Sequence, residues 1–244
     1  MRNIVIIPAF NEARSIGLVI GDIPHDLVDE VIVVNNASTD ETEANARAAG
    51  ATVVRETQQG YGFACLRGMA HARQNPPDVV VFLDGDYSDH PEELRHLVQP
   101  ILEGEADFVV GSRMLGEREP GAMLPQALFG NALACTLMRW VWGARFTDLG
   151  PFRAIRWADL ERLGMTDQTY GWTIEMQIKA VHAGLRTREV AVSYRKRVGV
   201  SKITGTVKGT VKASYKILWT IAKYAWLTKV RKGAQAYAVA GTPK

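Results

Sequence analysis

Cysteine is scarce in this 244-residue chain, which has only Cys65 and Cys135. Neither lies in a Cys-x-x-Cys pair or at ligand spacing from histidines. The sequence therefore offers no disulfide scaffold and no structural zinc site, and it fits a reducing compartment. Long apolar runs are also missing. The best stretches are 127–144, interrupted by Asn131 and Arg139, and 213–227, interrupted by Lys216 and Lys223. Neither provides the ~18 uninterrupted apolar residues of a membrane span. The first residues lead directly into IVIIPAF, too short for a secretory signal core and without a small-residue cleavage site. No internal repeat is present. What remains is 47% hydrophobic and 23% charged, a globular composition rather than a disordered or fibrous one.

One further absence is local. From Val190 onward there is no Asp or Glu, against 12 Lys+Arg. Residues 1–189 hold all 26 acidic and 17 of the 29 basic side chains, so the overall +3 divides into −9 and +12. Such asymmetry suggests an anionic partner for the tail, although a solvated basic face is the plain alternative. No helix-turn-helix, zinc-finger or RNA-binding motif accompanies the charge, so nucleic acid is not the expected partner.

Short apolar, β-branched runs at 4–7, 31–34, 52–55, 79–83 and 107–111 alternate with helical patterns, which implies βαβ units and a mostly parallel sheet. In such sheets ligands bind beyond the carboxyl ends of the strands. Three polar segments follow strands directly: 8–12, 35–40 and 84–86. Beyond residue 116 the alternation stops. Helices are expected over 128–142 and 170–183 and a strand over 187–194, with no Pro/Ser/Gly-rich linker between the halves.

Asp84-Gly85-Asp86 ends the strand at 79–83. Two carboxylates two residues apart at a strand end suit a hard divalent cation, and Mg²⁺ typically takes one or two carboxylates plus substrate phosphates. Asp-Gly is also a common turn dipeptide, so a solvated turn competes with that reading.

Together VIIPAFNEARSIG, VIVVNNASTDET and VFLDGDYSDHPEEL resemble a family 2 glycosyltransferase. DFVVGSRM, TDLGPFRAIR, YGWTIEMQIKA and EVAVSYRKRVGVSKITG are similar to its dolichyl- and polyprenyl-phosphate hexosyltransferase branch. The resemblance runs in order from about residue 4 to 205. It implies an α/β GT-A fold, with a Rossmann-like, mostly parallel sheet flanked by helices over 1–204. A basic amphipathic helical segment is expected over 205–232 and a flexible tail over 233–244.

The resemblance also assigns roles. Pro8, Ala9, Asn11 and Glu12 would hold the nucleotide, joined by Asn35, Asn36 and Asp40, where the family usually carries Asp-Asp-Gly-Ser. Asp84, Gly85 and Asp86 would meet the diphosphate, with Mg²⁺ or Mn²⁺ on the two aspartates and Asp89 as a possible replacement ligand. Arg113, Arg153, Arg197, Ser201 and Lys202 match positions used around the acceptor phosphate. Asp148 is either a general base toward a hydroxyl acceptor or a carboxylate that orients a basic side chain. Glu175 is a supporting residue or the buried partner of an arginine.

The implied reaction moves a hexose from GDP-mannose or UDP-glucose to a polyprenyl phosphate. The tail helix, with Lys208, Lys212, Lys216 and Lys223 beside Trp219 and Trp226, would lie on an anionic membrane at its cytoplasmic inner face. Competing readings are transfer to a saccharide or glycolipid hydroxyl, and a non-catalytic nucleotide-sugar or membrane-binding protein. A nucleotidyltransferase would need a Gly-rich, Lys/Arg-bearing phosphate loop near the N-terminus, and none is present.

Overall fold

A computed structural model describes residues 1–199 and 206–240, the side chains of 207, 208 and 230–240 excepted. The first half alternates as expected: β1 (Asn3–Ala9), α1 (Ile16–Gly21), β2 (Glu30–Asn36), α2 (Thr42–Ala48), β3 (Thr52–Glu56), α3 (Tyr61–Ala72) and β4 (Val79–Phe82). A 3₁₀ turn, Pro91–Glu93, leads into α4 (Leu94–Leu102), and β5 (Phe108–Ser112) follows. The second half supplies α5 (Pro125–Trp142), β6 (Arg153–Arg156), α6 (Trp157–Leu163), α7 (Trp172–His182), β7 (Thr187–Ala191) and the long α8 (Val207–Ala240).

The seven strands form one sheet in the order β3-β2-β1-β4-β6-β5-β7. All neighbours are parallel except β6, which runs antiparallel to both β4 and β5. The sequence reading had no strand there. Arg-Ala-Ile-Arg is only four residues long and is polar at both ends, so it lacks a strand's apolar signature. Its pairing places Phe82 opposite Arg153 and lets β5 join the sheet through an inserted strand.

The apolar strands have side chains on both faces because both faces are covered. Ile4, Ile6, Ile32, Val34, Val80 and Phe82 face one layer, built on α3, α5, α6 and α7. Val5, Ile7, Val31, Val33, Val79 and Val81 face the other, built on α1, α2 and α4.

α8 runs on past residue 232, where a flexible tail was expected to start. Ile217, Ile221 and Tyr224 pack inward on the first layer. Lys216 also turns inward, with its Nζ 2.9 Å from Asp167 Oδ2. It therefore does not face outward with Lys212 and Lys223, where the sequence placed it on the membrane-facing side of the helix. Lys208 lies outside the described side chains.

α3 sits directly on the sheet through Gly68, where an added Cβ would come 2.6 Å from Ile6 Cγ2. Gly68→Ala should therefore cost about 1–3 kcal/mol by overpacking. A urea midpoint that falls with unchanged m-value would show this, and an unchanged midpoint would mean that α3 shifts freely.

Candidate active site

The polar segments after β1, β2 and β4 converge at the carboxyl edge of the sheet. The first two contain one non-glycine residue each with positive φ, Asn11 (54°) and Ala37 (59°), and Tyr87 (64°) directly follows the third. Such conformations cost of order 1–3 kcal/mol and persist only where the surroundings enforce them. The enforcement here is a lattice of hydrogen bonds between the first two loops. Asn11 N donates to Ser38 Oγ (3.0 Å), Glu12 N to Thr42 Oγ1 (2.8 Å), and Thr39 N to Asn11 Oδ1 (2.8 Å). Asp40 accepts from Ala13 N and from the backbone and hydroxyl of Thr42. Burial works to raise its carboxyl, but these bonds outweigh burial and hold it below the ordinary value.

Asn35 and Asn36 are committed to the scaffold as well. Asn35 accepts from Ser38 N (2.9 Å) and donates to Glu43 (3.0 Å). Asn36 donates to Gln58 O (2.7 Å) and accepts from Gly60 N (2.8 Å), tying β2 to the loop before α3. Glu43 also receives Arg47 and Arg55, and the bonds from Arg55 and then Asn35 hold it down to about 2. An aspartate at either position could not make these donations, which accounts for Asn-Asn where a carboxylate pair was the family expectation. The two amides build the wall of the crevice instead of standing free in it.

The third loop gathers carboxylates. Asp84 Oδ1 and both oxygens of Asp89 are buried without a hydrogen-bond partner among the described residues. Asp86 is 5% exposed. Its Oδ1 accepts from Ser88 N (2.9 Å) and Oγ (2.5 Å), and its Oδ2 lies 2.6 Å from Arg197 Nη1. Burial, then the charge of Asp86, pushes Asp84 up to about 7. Burial, then Asp84, pushes Asp89 well above the carboxylate range. Oxygen-only donors with unpaired, mutually repelling lone pairs suit a hard dication. No group of three or more His, Cys, Asp or Glu among the described residues closes on a metal alone. Water and phosphate would therefore complete its coordination, as is usual for Mg²⁺.

Opposite these carboxylates stands Arg113. Asp148, fully buried, takes its Nε (2.8 Å), its Nη2 (2.7 Å) and its backbone N (2.8 Å). The guanidinium carbon lies 5.0 Å from the Tyr194 ring centroid. From here a cavity of about 570 Å³ opens outward. Tyr61, Asp84, Arg113, Tyr194 and Arg197 line its carboxylate end, the exposed Lys196 also borders it, and Met123, Leu124, Ala127, Leu149, Ala213 and Ile217 contribute apolar wall.

The family model for glycosyl transferase family 2 matches residues 4–164. This chain belongs to that family. The glycosyltransferase is 33% identical to an undecaprenyl-phosphate mannosyltransferase of Micrococcus luteus, over 86% of this chain and 90% of that one. It is 29% identical to a polyprenol monophosphomannose synthase of Mycolicibacterium smegmatis, over 84% and 82% respectively. Among solved structures it resembles a glucosyl-3-phosphoglycerate synthase from Mycobacterium tuberculosis in complex with Mn²⁺, UDP and phosphoglyceric acid. That match has TM-score 0.73 and 26% identity, covering 92% of this chain and 78% of the other. The sheet is the GT-A fold, and the chain is an enzyme of the glycosyltransferase class.

In this glycosyltransferase the cavity brings together Asp84, Arg113 and Arg197, with Asp86 on the latter. Pro8 and Ala9 end β1, paired beside β4, and Asn11 and Glu12 follow it. The loops meet where a Cβ on Gly85 would come 3.5 Å from Glu12 Cγ; none of these five residues lines the cavity. Ser201 and Lys202 lie outside the described residues. Arg153 does not reach the acceptor side. It is fully buried and donates to the carbonyls of Leu149, Gly150 and Thr173, and burial pulls it down to about 10. Its role is to close the loop ahead of β6.

Among the described residues, Glu175 pairs with no arginine. It accepts from Thr166, Asp167 N and Tyr224, with Lys179 at 2.9 Å, and so clamps α7 to α8. Tyr61, Tyr194 and Lys196 were not singled out from sequence. Gly-Tyr-Gly after β3 was the available signal for Tyr61: a Cβ on Gly62 would run into Asp167 O, so the glycine permits the close approach that places the tyrosine.

Asp148 thus holds Arg113. Removing one partner of a buried pair leaves the other charge uncompensated, so Asp148→Ala should cost about 3–5 kcal/mol of folding stability. A urea titration reads this directly. A midpoint equal to that of the unaltered protein would mean that Asp148 is a free site carboxylate after all.

Proposed function

We propose that this glycosyltransferase moves a hexose, with inversion, from a nucleotide sugar to the phosphate of a polyprenyl phosphate at a membrane surface. GDP-mannose and UDP-glucose are the donors in view. The observation that carries this reading is the cavity itself: Arg113 and Arg197 lie at its carboxylate end, and apolar walls lead outward between α5 and α8. That gradient suits a ligand with an anionic head and a hydrocarbon tail. Two relatives bear names describing mannose transfer to prenyl phosphates.

The donor would lie across the loops after β1, β2 and β4, its diphosphate beside Asp84 and Asp86. Those two residues would hold Mg²⁺ or Mn²⁺, which when bound supplies Lewis-acid stabilisation of the departing nucleoside diphosphate. An acceptor phosphate oxygen attacks the anomeric carbon from the opposite face. The new C–O bond forms as the bond to the diphosphate breaks, and the electron pair leaves with the nucleotide. A phosphate monoester is already anionic near neutral pH, so no general base is required. This agrees with Asp148 having both oxygens on Arg113. Arg113 and Arg197 would orient the phosphate, the guanidinium geometry being suited to its oxygens.

Membrane attachment would use the outer faces of α5 and α8. No helix among the described residues is long and apolar enough to cross a membrane. Phe129, Leu133 and Trp140 on α5, with Tyr215, Trp219 and Trp226 on α8, are exposed. Lys212, Lys223 and Lys229 are exposed beside them, and each basic residue near an anionic leaflet contributes about 1 kcal/mol. An interfacial position on the inner, cytoplasmic leaflet follows from this reading.

Two measurements test it. Purified protein with Mn²⁺, labelled donor and added polyprenyl phosphate should yield a butanol-soluble polyprenyl-phosphate sugar. Transfer to a saccharide hydroxyl with no lipid product would overturn the acceptor. Flotation with phosphatidylglycerol vesicles should carry the protein upward and should weaken in Trp140→Ser/Trp226→Ser. Equal flotation of the variant would remove the docking face.

A further inference from the structure

Among the described residues, Arg197 is the cation in contact with Asp86, one of the two aspartates that would hold the metal. Asp86 Oδ1 is occupied by the backbone and hydroxyl of Ser88, which leaves Oδ2 as its outward-facing oxygen. Arg197 Nη1 holds that oxygen at 2.6 Å. The neighbouring carboxylates have no such partner: Asp84 Oδ1 and both Asp89 oxygens are buried and unpaired among the described residues. Arg197 is thus in direct contact with the carboxylate cluster, while Arg113 acts on it from its ion pair with Asp148.

The backbone around Arg197 is pinned independently of its side chain. Arg195 N donates to Ser88 O (2.9 Å) and Val198 N to Asp86 O (2.9 Å). The Arg195 guanidinium donates to Tyr87 O (2.8 Å) and stacks 3.4 Å from the Tyr87 ring centroid. The Arg197 side chain can therefore change partners while its Cα stays beside the carboxylates. It borders the cavity that Arg113 also borders.

We propose that Arg197 is a cation stand-in on Asp86 that metal loading displaces, and that the freed guanidinium then takes the acceptor phosphate. A dication on Asp84 and Asp86 and a guanidinium on the same Asp86 oxygen repel at a separation of a few ångströms in a water-poor site. The two cations therefore compete for that oxygen. Metal and donor diphosphate thereby open the phosphate site, which gives ordered binding with the donor first. Arg197 is a positioning residue for both ligands. The handover to phosphate rests on the acceptor reading above, while the exchange on Asp86 does not.

The test is Mn²⁺ binding to the full-length protein without donor, followed by the paramagnetic resonance signal of free Mn²⁺. Arg197→Gln, which removes the charge and keeps polar volume, should bind Mn²⁺ at least ~10-fold more tightly than the unaltered protein. Arg197→Lys, which keeps the charge, should stay within about threefold of it. Geranyl phosphate should bind the unaltered protein more tightly with Mn²⁺ and nucleoside diphosphate present than without, and Arg197→Gln should lose that enhancement. Unchanged or weaker Mn²⁺ binding by Arg197→Gln overturns the exchange. Tighter Mn²⁺ binding by that variant, with no geranyl phosphate bound by the unaltered protein under either condition, supports the exchange and overturns the phosphate acceptor.

Discussion

The repulsion among Asp84, Asp86 and Asp89 is the constraint on which the rest of the site depends. Three carboxylates at the end of a buried strand are costly, because burial disfavours charge and like charges at close range repel. Two arginines relieve them, and both come from beyond β4. Arg113 follows β5 and Arg197 follows β7. Neither would reach the end of β4 unless β5 and β7 were brought into the same sheet. The antiparallel β6 achieves this by pairing with β4 on one side and β5 on the other. The departure from a simple parallel sheet is thus tied to the electrostatics of the site.

The first half of the fold was legible because its strands are buried on both faces, and runs such as Ile4 to Ile7 and Val79 to Phe82 have no other reading. The three loops were legible for the same reason, since polar residues directly after such strands lie at the sheet's carboxyl edge. What failed was anything that depended on partners distant in sequence. Arg153 has the composition of a phosphate ligand, yet its donors are consumed by three carbonyls in its own neighbourhood. Asp148 offered two roles, and only its distance to Arg113 separates them. Asn35 and Asn36 look like a weakened base-binding pair until Glu43, Gln58 and Gly60 are seen to use their amides.

Charge distribution shows the same limit. The split into an acidic body and a basic tail was visible from counting, but the use of each cation was not. Arg195 and Arg197 are turned onto the loop after β4, and Lys216 onto Asp167. Those three serve the fold and the carboxylates. Lys212, Lys223 and Lys229 remain exposed, on the helix that also exposes Tyr215, Trp219 and Trp226. The tail is thus divided between an inward function and an outward one.

That division links the two ends of the cavity physically. α8 is fixed to the body by Tyr224 on Glu175 and by Lys216 on Asp167. The same loop, through Gln168 O, accepts from Phe63 N at the start of α3, next to Tyr61. Tyr61 in turn borders Asp84. The helix proposed to meet a membrane therefore shares one set of contacts with the residue beside the carboxylates. A lipid entering between α5 and α8 would meet walls whose spacing is set by those contacts. The depth of its phosphate relative to Arg113 and Arg197 follows from the same geometry. An acceptor in free solution would need no such registration between surface and site.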